Sequence, residues 1–98
     1  MSSKEDRAAA EVLRAVVAAL SAPLSDDDRR LNWSPKRQRV MLDWFRMMLK
    51  EIEAGRDIRN HFSKITRELD MHGIIEGDIW DVCVASQLRL TELLGRPS

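Results

Sequence analysis

Residues 34–54 read as a helix that is apolar around more than half its circumference, and a chain this short must find a cover for it. On a helical wheel of about 100° per residue, Met47, Val40, Trp44, Met48, Met41, Ile52, Phe45, Leu49 and Leu42 fill an arc of about 220°. A surface helix of a small domain needs an apolar stripe of only about 100° or somewhat more. The excess has to be buried by other helices of the chain, by a second copy, or by another protein. Its boundaries are well marked. Ser34 caps, Pro35 takes the first helical position, where no N–H is needed, and Gly55 closes the end.

A second wide arc of about 240° falls on residues 78–94, where Val82, Leu93, Ile79, Leu90, Cys83, Leu94, Trp80, Val84 and Leu88 leave only a narrow polar strip of Asp78, Asp81, Arg89 and Glu92. Two narrower helices accompany these. One starts after Ser3 in a capping-box pattern with Asp6, carries Leu13, Val16, Val17 and Leu20 as a stripe, and is rich in alanine. The other is capped by Asp57, carries Ile58, Phe62, Ile65 and Leu69, and stops near Gly73, with Ile74 and Ile75 expected to pack inward from the turn. The Gly55-Arg56 connection forces an antiparallel pair. Ser25 followed by Asp26, Asp27 and Asp28 marks a further short helix start, with carboxylates at the favourable end of the helix dipole. No segment alternates with period two, so no sheet is expected. The fold class is all-α: a single domain over residues 1–98 of four helices, or five if the segment 25–31 also forms a short one, which the sequence alone leaves open, arranged as an antiparallel hairpin bundle and completed by dimerisation. Two-fold dimers are the commonest oligomers, and the two wide-arc helices are best satisfied by pairing across such an axis.

With 98 residues, about 60–65% of the unfolded surface can be buried in one modest core. The single cysteine, Cys83, excludes an internal disulfide framework and fits a reducing compartment, so the expected location is cytoplasmic. The apolar run 15–20 is short for a secretory leader, and Glu5, Asp6 and Glu11 are wrong for its charged start. No stretch approaches a membrane span.

The net charge is zero but unevenly placed. Residues 29–67 hold eleven Lys/Arg and four Asp/Glu, and the remainder carries the compensating negative charge. The sharpest basic run is Arg29, Arg30, Lys36, Arg37 and Arg39, with Trp33 between. Cations in the first turns of the 34–54 helix oppose its dipole, which invites either acidic neighbours such as Asp26, Asp27 and Asp28 or an anionic ligand. These five residues are the candidate anion site, and nucleic acid is its functional reading. Zero net charge weighs against that reading. A helix-turn-helix is disfavoured too, because Glu76, Asp78 and Asp81 would meet the polyanion.

His61, His72 and Cys83 are not spaced as a zinc site, Asp57, His61 and Ser63 do not form a triad, and no glycine-rich phosphate loop is present. No catalytic residue, metal or cofactor is therefore expected. Met41 and Met48 are read as core and Met47 as interface, methionine being a readily repacked side chain. Phe45 and Ile52 belong to the core, and Trp33 is read as a staple against Arg37 or Gln38. The expected partner-binding residues are Val40, Trp44 and Met47 at the edge of one arc, then Trp80 and Leu88 on the other. The function expected is a small non-enzymatic regulator that binds another protein through apolar helix faces, for example an antagonist or adaptor of a transcription factor or an enzyme. A nucleic-acid-binding protein using residues 29–39 and a structural homo-oligomer are the alternatives.

Overall fold

Serine caps open the first three helices. In the computed structural model, which describes residues 3–95, Ser3 Oγ accepts the N–H of Asp6 and opens α1, Lys4–Leu20. Ser25 Oγ accepts the N–H of Asp28 and opens the short α2, Asp26–Arg30. Ser34 Oγ accepts the N–H of Arg37 and opens α3, Pro35–Glu53, with proline in its first turn. Each cap satisfies an amide that has no partner inside the helix. α4, Phe62–His72, and α5, Asp78–Leu94, complete an all-helical chain, with no strand among the described residues.

α4 begins later than the sequence suggests. Asp57 Oδ1 does accept a backbone N–H, but that of Arg59, and the same carboxylate holds the Arg59 guanidinium at 2.8 Å. The chain then makes one 3₁₀ turn, Arg59–His61, while Ile58 sinks into the core. The helix proper starts only at Phe62.

α1 is the central helix. It shares its most extensive contacts with α3 on one side and α5 on the other. Its stripe is wider than Leu13, Val16, Val17 and Leu20, because Ala9 and Ala10 are also buried. These small side chains let two neighbours approach closely while α1 stays thin. The core is continuous, from Leu13 and Val16 through Met41, Phe45, Met48 and Ile52 to Ile58, Phe62, Ile65, Leu69, Ile79, Cys83 and Leu90. Met41 and Met48 fill it as expected. Of the two isoleucines in the α4–α5 loop, Ile74 is buried, whereas Ile75 is 74% exposed. The radius of gyration, 13.2 Å, is that of a packed single chain, for which about 13 Å is expected at this length.

Buried polar side chains tie the helix ends together. Gln38, inside the apolar arc of α3, donates Nε2–H to the carbonyls of Leu20 (2.9 Å) and Ala22 (2.7 Å), satisfying the exit of α1. Asp28 reaches the start of α5, where its carboxylate accepts the N–H groups of Asp78 (2.8 Å) and Ile79 (3.3 Å). Trp33 is 3% exposed and donates Nε1–H to the carbonyl of Glu76 (3.1 Å), its ring tilted against His72. It is therefore a clamp between the α2–α3 junction and the α4–α5 loop, not a staple within α3.

Candidate functional site

The two wide apolar arcs are covered to different degrees. On α3, Met41, Leu42, Phe45, Met48 and Ile52 are buried, leaving Val40, Trp44, Met47 and Leu49 half-buried at the margins. On α5 only Ile79, Cys83 and Leu90 are buried; Trp80, Val82, Val84, Leu93 and Leu94 are half-buried, and Leu88 is 60% exposed. Leu88, Met71 and Ile75 are the strongly exposed large apolar side chains among the described residues. All three lie between positions 71 and 88, so the uncovered apolar surface belongs to the end of α4, the following loop, and α5.

The structure brings two of the expected partner-binding residues together. Trp80 and Leu88 stand two turns apart with Val84 between them, at the four-residue spacing that keeps side chains on one helix face. This stripe forms one wall of a groove of about 250 Å³, closed by Thr66, Leu69, Asp70 and Gln87. Gln87 fixes the walls by donating Nε2–H to Thr66 Oγ1 (2.7 Å) and to the carbonyl of Phe62 (3.0 Å). Within the described residues the Trp80 indole N–H donates to nothing, leaving a polar handle beside an apolar ring, as suits a contact that is half wet. Neither Met71 nor Ile75 lines this groove.

Val40, Trp44 and Met47 lie on a different helix. Trp44 packs against the core with its ring 6.5 Å from that of His61, and the Lys64 ammonium stands over its face at 5.6 Å. Met47 also packs on the core, and Val40, about two helical turns earlier, is half-buried.

The basic run divides. Arg30 pairs with Asp27 at 2.9 Å and Arg39 with Asp43 at 3.0 Å, so acidic neighbours answer two of the cations. Arg29 and Lys36 are exposed and form no ion pair within the described residues. Arg37 is half-buried, donates Nη1–H to the carbonyl of Asn32 at 2.8 Å, and forms no ion pair within the described residues. It lines a larger cleft of about 570 Å³ with Leu31, Asn32, Ser34, His72 and the loop 73–76. Sequence reading did not foresee this cleft, because its walls come from segments about forty residues apart.

The titratable groups carry little sign of tuned chemistry. Burial pushes the Cys83 thiol up to about 12, which makes it an inert core side chain. Burial also lowers His72 below the ordinary histidine value, against the nearby Glu68 charge, with Arg37 adding to the lowering. Among the described residues no three His, Cys, Asp or Glu side chains gather where they could hold a metal ion, and no helix is long and apolar enough to cross a membrane. The chain matches no protein-family model, no curated protein and no solved structure at a significant level. Function is therefore read from the geometry of the molecule itself.

Proposed function

We propose that this is a small non-enzymatic regulatory protein that works by protein–protein binding, with α5 presenting the contact surface and a second copy of the chain as its first occupant. The observation that carries this reading is the concentration of uncovered apolar surface on the α4–α5 unit, with Leu88 open beside Trp80 and Val84. Stripes of this kind are self-complementary. Two α5 helices running oppositely across a two-fold axis near Val84 would set each Trp80 against the other copy's Leu88. Aromatic side chains at the centre of an apolar patch are the usual anchors of such contacts.

The hairpin reading of the bundle is part of the proposal and has its own support. Gln87 meets the start of α4, whereas Trp80 shares a groove with Leu69 and Asp70 near its end. Likewise Gln38, near the start of α3, meets the exit of α1, and Arg14, nearer the α1 entrance, pairs with Glu53 at the α3 exit. Both pairings are those of antiparallel neighbours. The bundle is then completed by a dimer in which α5 gains the cover it lacks. A regulator of this type acts by masking a surface on its target, such as a transcription factor or an enzyme.

Paired variants test which face works. Leu88→Arg should weaken self-association by roughly 30-fold or more and leave the helical spectrum and protomer melting close to wild type, because Leu88 is exposed. Met47→Arg probes the α3 edge in the same assay. Loss of association with Met47→Arg and not with Leu88→Arg would move the contact to Val40, Trp44 and Met47 and defeat the α5 assignment.

A further inference from the structure

The 570 Å³ cleft shares no residue with the α5 groove and has a different chemistry. Its floor is rigid. Trp33 clamps the α4–α5 loop through its hydrogen bond to the Glu76 carbonyl, and Asp28 locks the start of α5 just beyond. One side carries donors. The Arg37 guanidinium is pinned by the Asn32 carbonyl through Nη1, which leaves Nη2 and Nε with no partner within the described residues. Ser34 lines the same side, its hydroxyl accepting from Arg37 N and still holding a proton to give. His72 stands in the wall, its Nε2 shut off from solvent and without a hydrogen-bond partner. The cleft also has apolar lining residues, Leu31, Ile74 and the exposed Ile75. Glu76 contributes a carboxylate that is not ion-paired among the described residues, so an extended polyanion such as a nucleic-acid backbone is disfavoured here and a single negative charge is not.

We propose that this cleft binds a small amphipathic carboxylate, its anionic end taken by Arg37 and Ser34 and its apolar body laid against Leu31, Ile74 and Ile75. The size fits, since pockets for small ligands run from about 300 to 1,000 Å³. A fixed guanidinium with two free donor nitrogens is suited to a planar carboxylate. It also gives a reason for an arginine in the first turn of α3, where the helix dipole disfavours it and no ion pair within the described residues answers it.

The test is a ¹H–¹⁵N NMR titration of the whole chain with indole-3-acetate as probe. Acetate, tryptamine and inorganic phosphate serve as comparison arms. Saturable shifts confined to residues 31–37 and 72–76 are expected, with each comparison compound at least about tenfold weaker, since one charge-assisted contact or one apolar contact is then missing. Arg37→Gln should weaken the probe by about tenfold or more, and Ile75→Ser should weaken it several-fold. Ile75 is exposed, so that variant stays folded and decides the matter if Arg37→Gln does not fold. Absence of saturable shifts, shifts centred elsewhere, phosphate binding as tightly as the probe, or undiminished binding by both variants would each overturn the proposal. Association through α5 is read in a separate assay, so either conclusion can fail without the other.

Discussion

The carboxylate of Asp28 accepts the backbone N–H of Asp78 at 2.8 Å, across 50 positions of sequence, and so caps a helix to which it does not belong. α5 has no cap of its own. Its N-cap residue is Gly77, with φ +106° and ψ 171°, a conformation essentially reserved for glycine. The missing side chain is what admits Asp28, because a Cβ on Gly77 would lie 2.5 Å from Asp28 Oδ1 and 3.0 Å from Leu31 Cδ1. A buried carboxylate at the positive end of a 17-residue helix is stabilised by both the hydrogen bonds and the dipole.

Gly77→Ala should therefore be among the more damaging single substitutions, at about 3 kcal/mol, since backbone strain and collision with Asp28 act together. Gly55 offers the comparison. It also has positive φ, +82°, but nothing lies within 4 Å of its missing Cβ. Gly55→Ala should cost only about 1 kcal/mol of backbone strain. Urea unfolding of the two variants checks the contrast.

Cys83 should be silent in the native protein. It is fully buried and its thiol is held up to about 12, so the reactive thiolate is scarce at neutral pH. Labelling with a chromogenic disulfide reagent at pH 8 is expected to proceed only through opening of the core, with a rate that rises with urea as unfolding does. Rapid labelling without denaturant would contradict this packing.

Stability should fall as the solution is acidified below about pH 6.5, in part through His72. Burial lowers its folded-state value beneath the ordinary 6.5, so the unfolded chain binds the proton first. The contribution of neutral His72 is complete above the unfolded value. It is lost as pH falls from there through the depressed folded value. His72→Gln should flatten the melting temperature between pH 7.5 and 5.5 relative to wild type. An unchanged slope would assign it to other groups.

Nucleic-acid binding by residues 29–39 is expected to be weak. Two of the five cations are already paired, Arg30 with Asp27 and Arg39 with Asp43. Any association at low salt should fall steeply as salt rises and be no better than non-specific under physiological conditions. Tight, sequence-selective binding there would displace the protein-binding reading.

How far the sequence could be read depended on how local each signal was. Ser3, Ser25 and Ser34 announce their helices because a cap and its amide are three positions apart, and even the five-residue α2 was legible through Ser25. The buried faces of α3 and α4 followed from period alone. Asp28, Trp33 and Gln38 were not legible in these roles. Asp28 sits in a run of three aspartates whose local purpose is already plain, and nothing nearby says that one of them serves α5. Trp33 and Gln38 find their acceptors 43 and 18 positions away. The full width of the α1 face is hidden for a related reason: alanine adds little to an apolar arc, yet Ala9 and Ala10 are buried in the core. The surplus on α5 was legible as an arc, but which part of it stays open depended on α1 and α4 covering the rest. Trp80 and Leu88 thereby became a groove wall, while Val40, Trp44 and Met47 stayed at a half-covered edge.

The central claim, that the open stripe of α5 is a contact surface, is tested most directly by the mass of the pure protein in solution over a wide concentration range. Light scattering coupled to size exclusion should give twice the 11.3 kDa chain mass for the wild type. Leu88→Arg should shift the concentration at which monomer appears by roughly 30-fold or more, corresponding to about 2 kcal/mol of association. A wild-type mass of 11.3 kDa at every concentration would contradict self-association through α5.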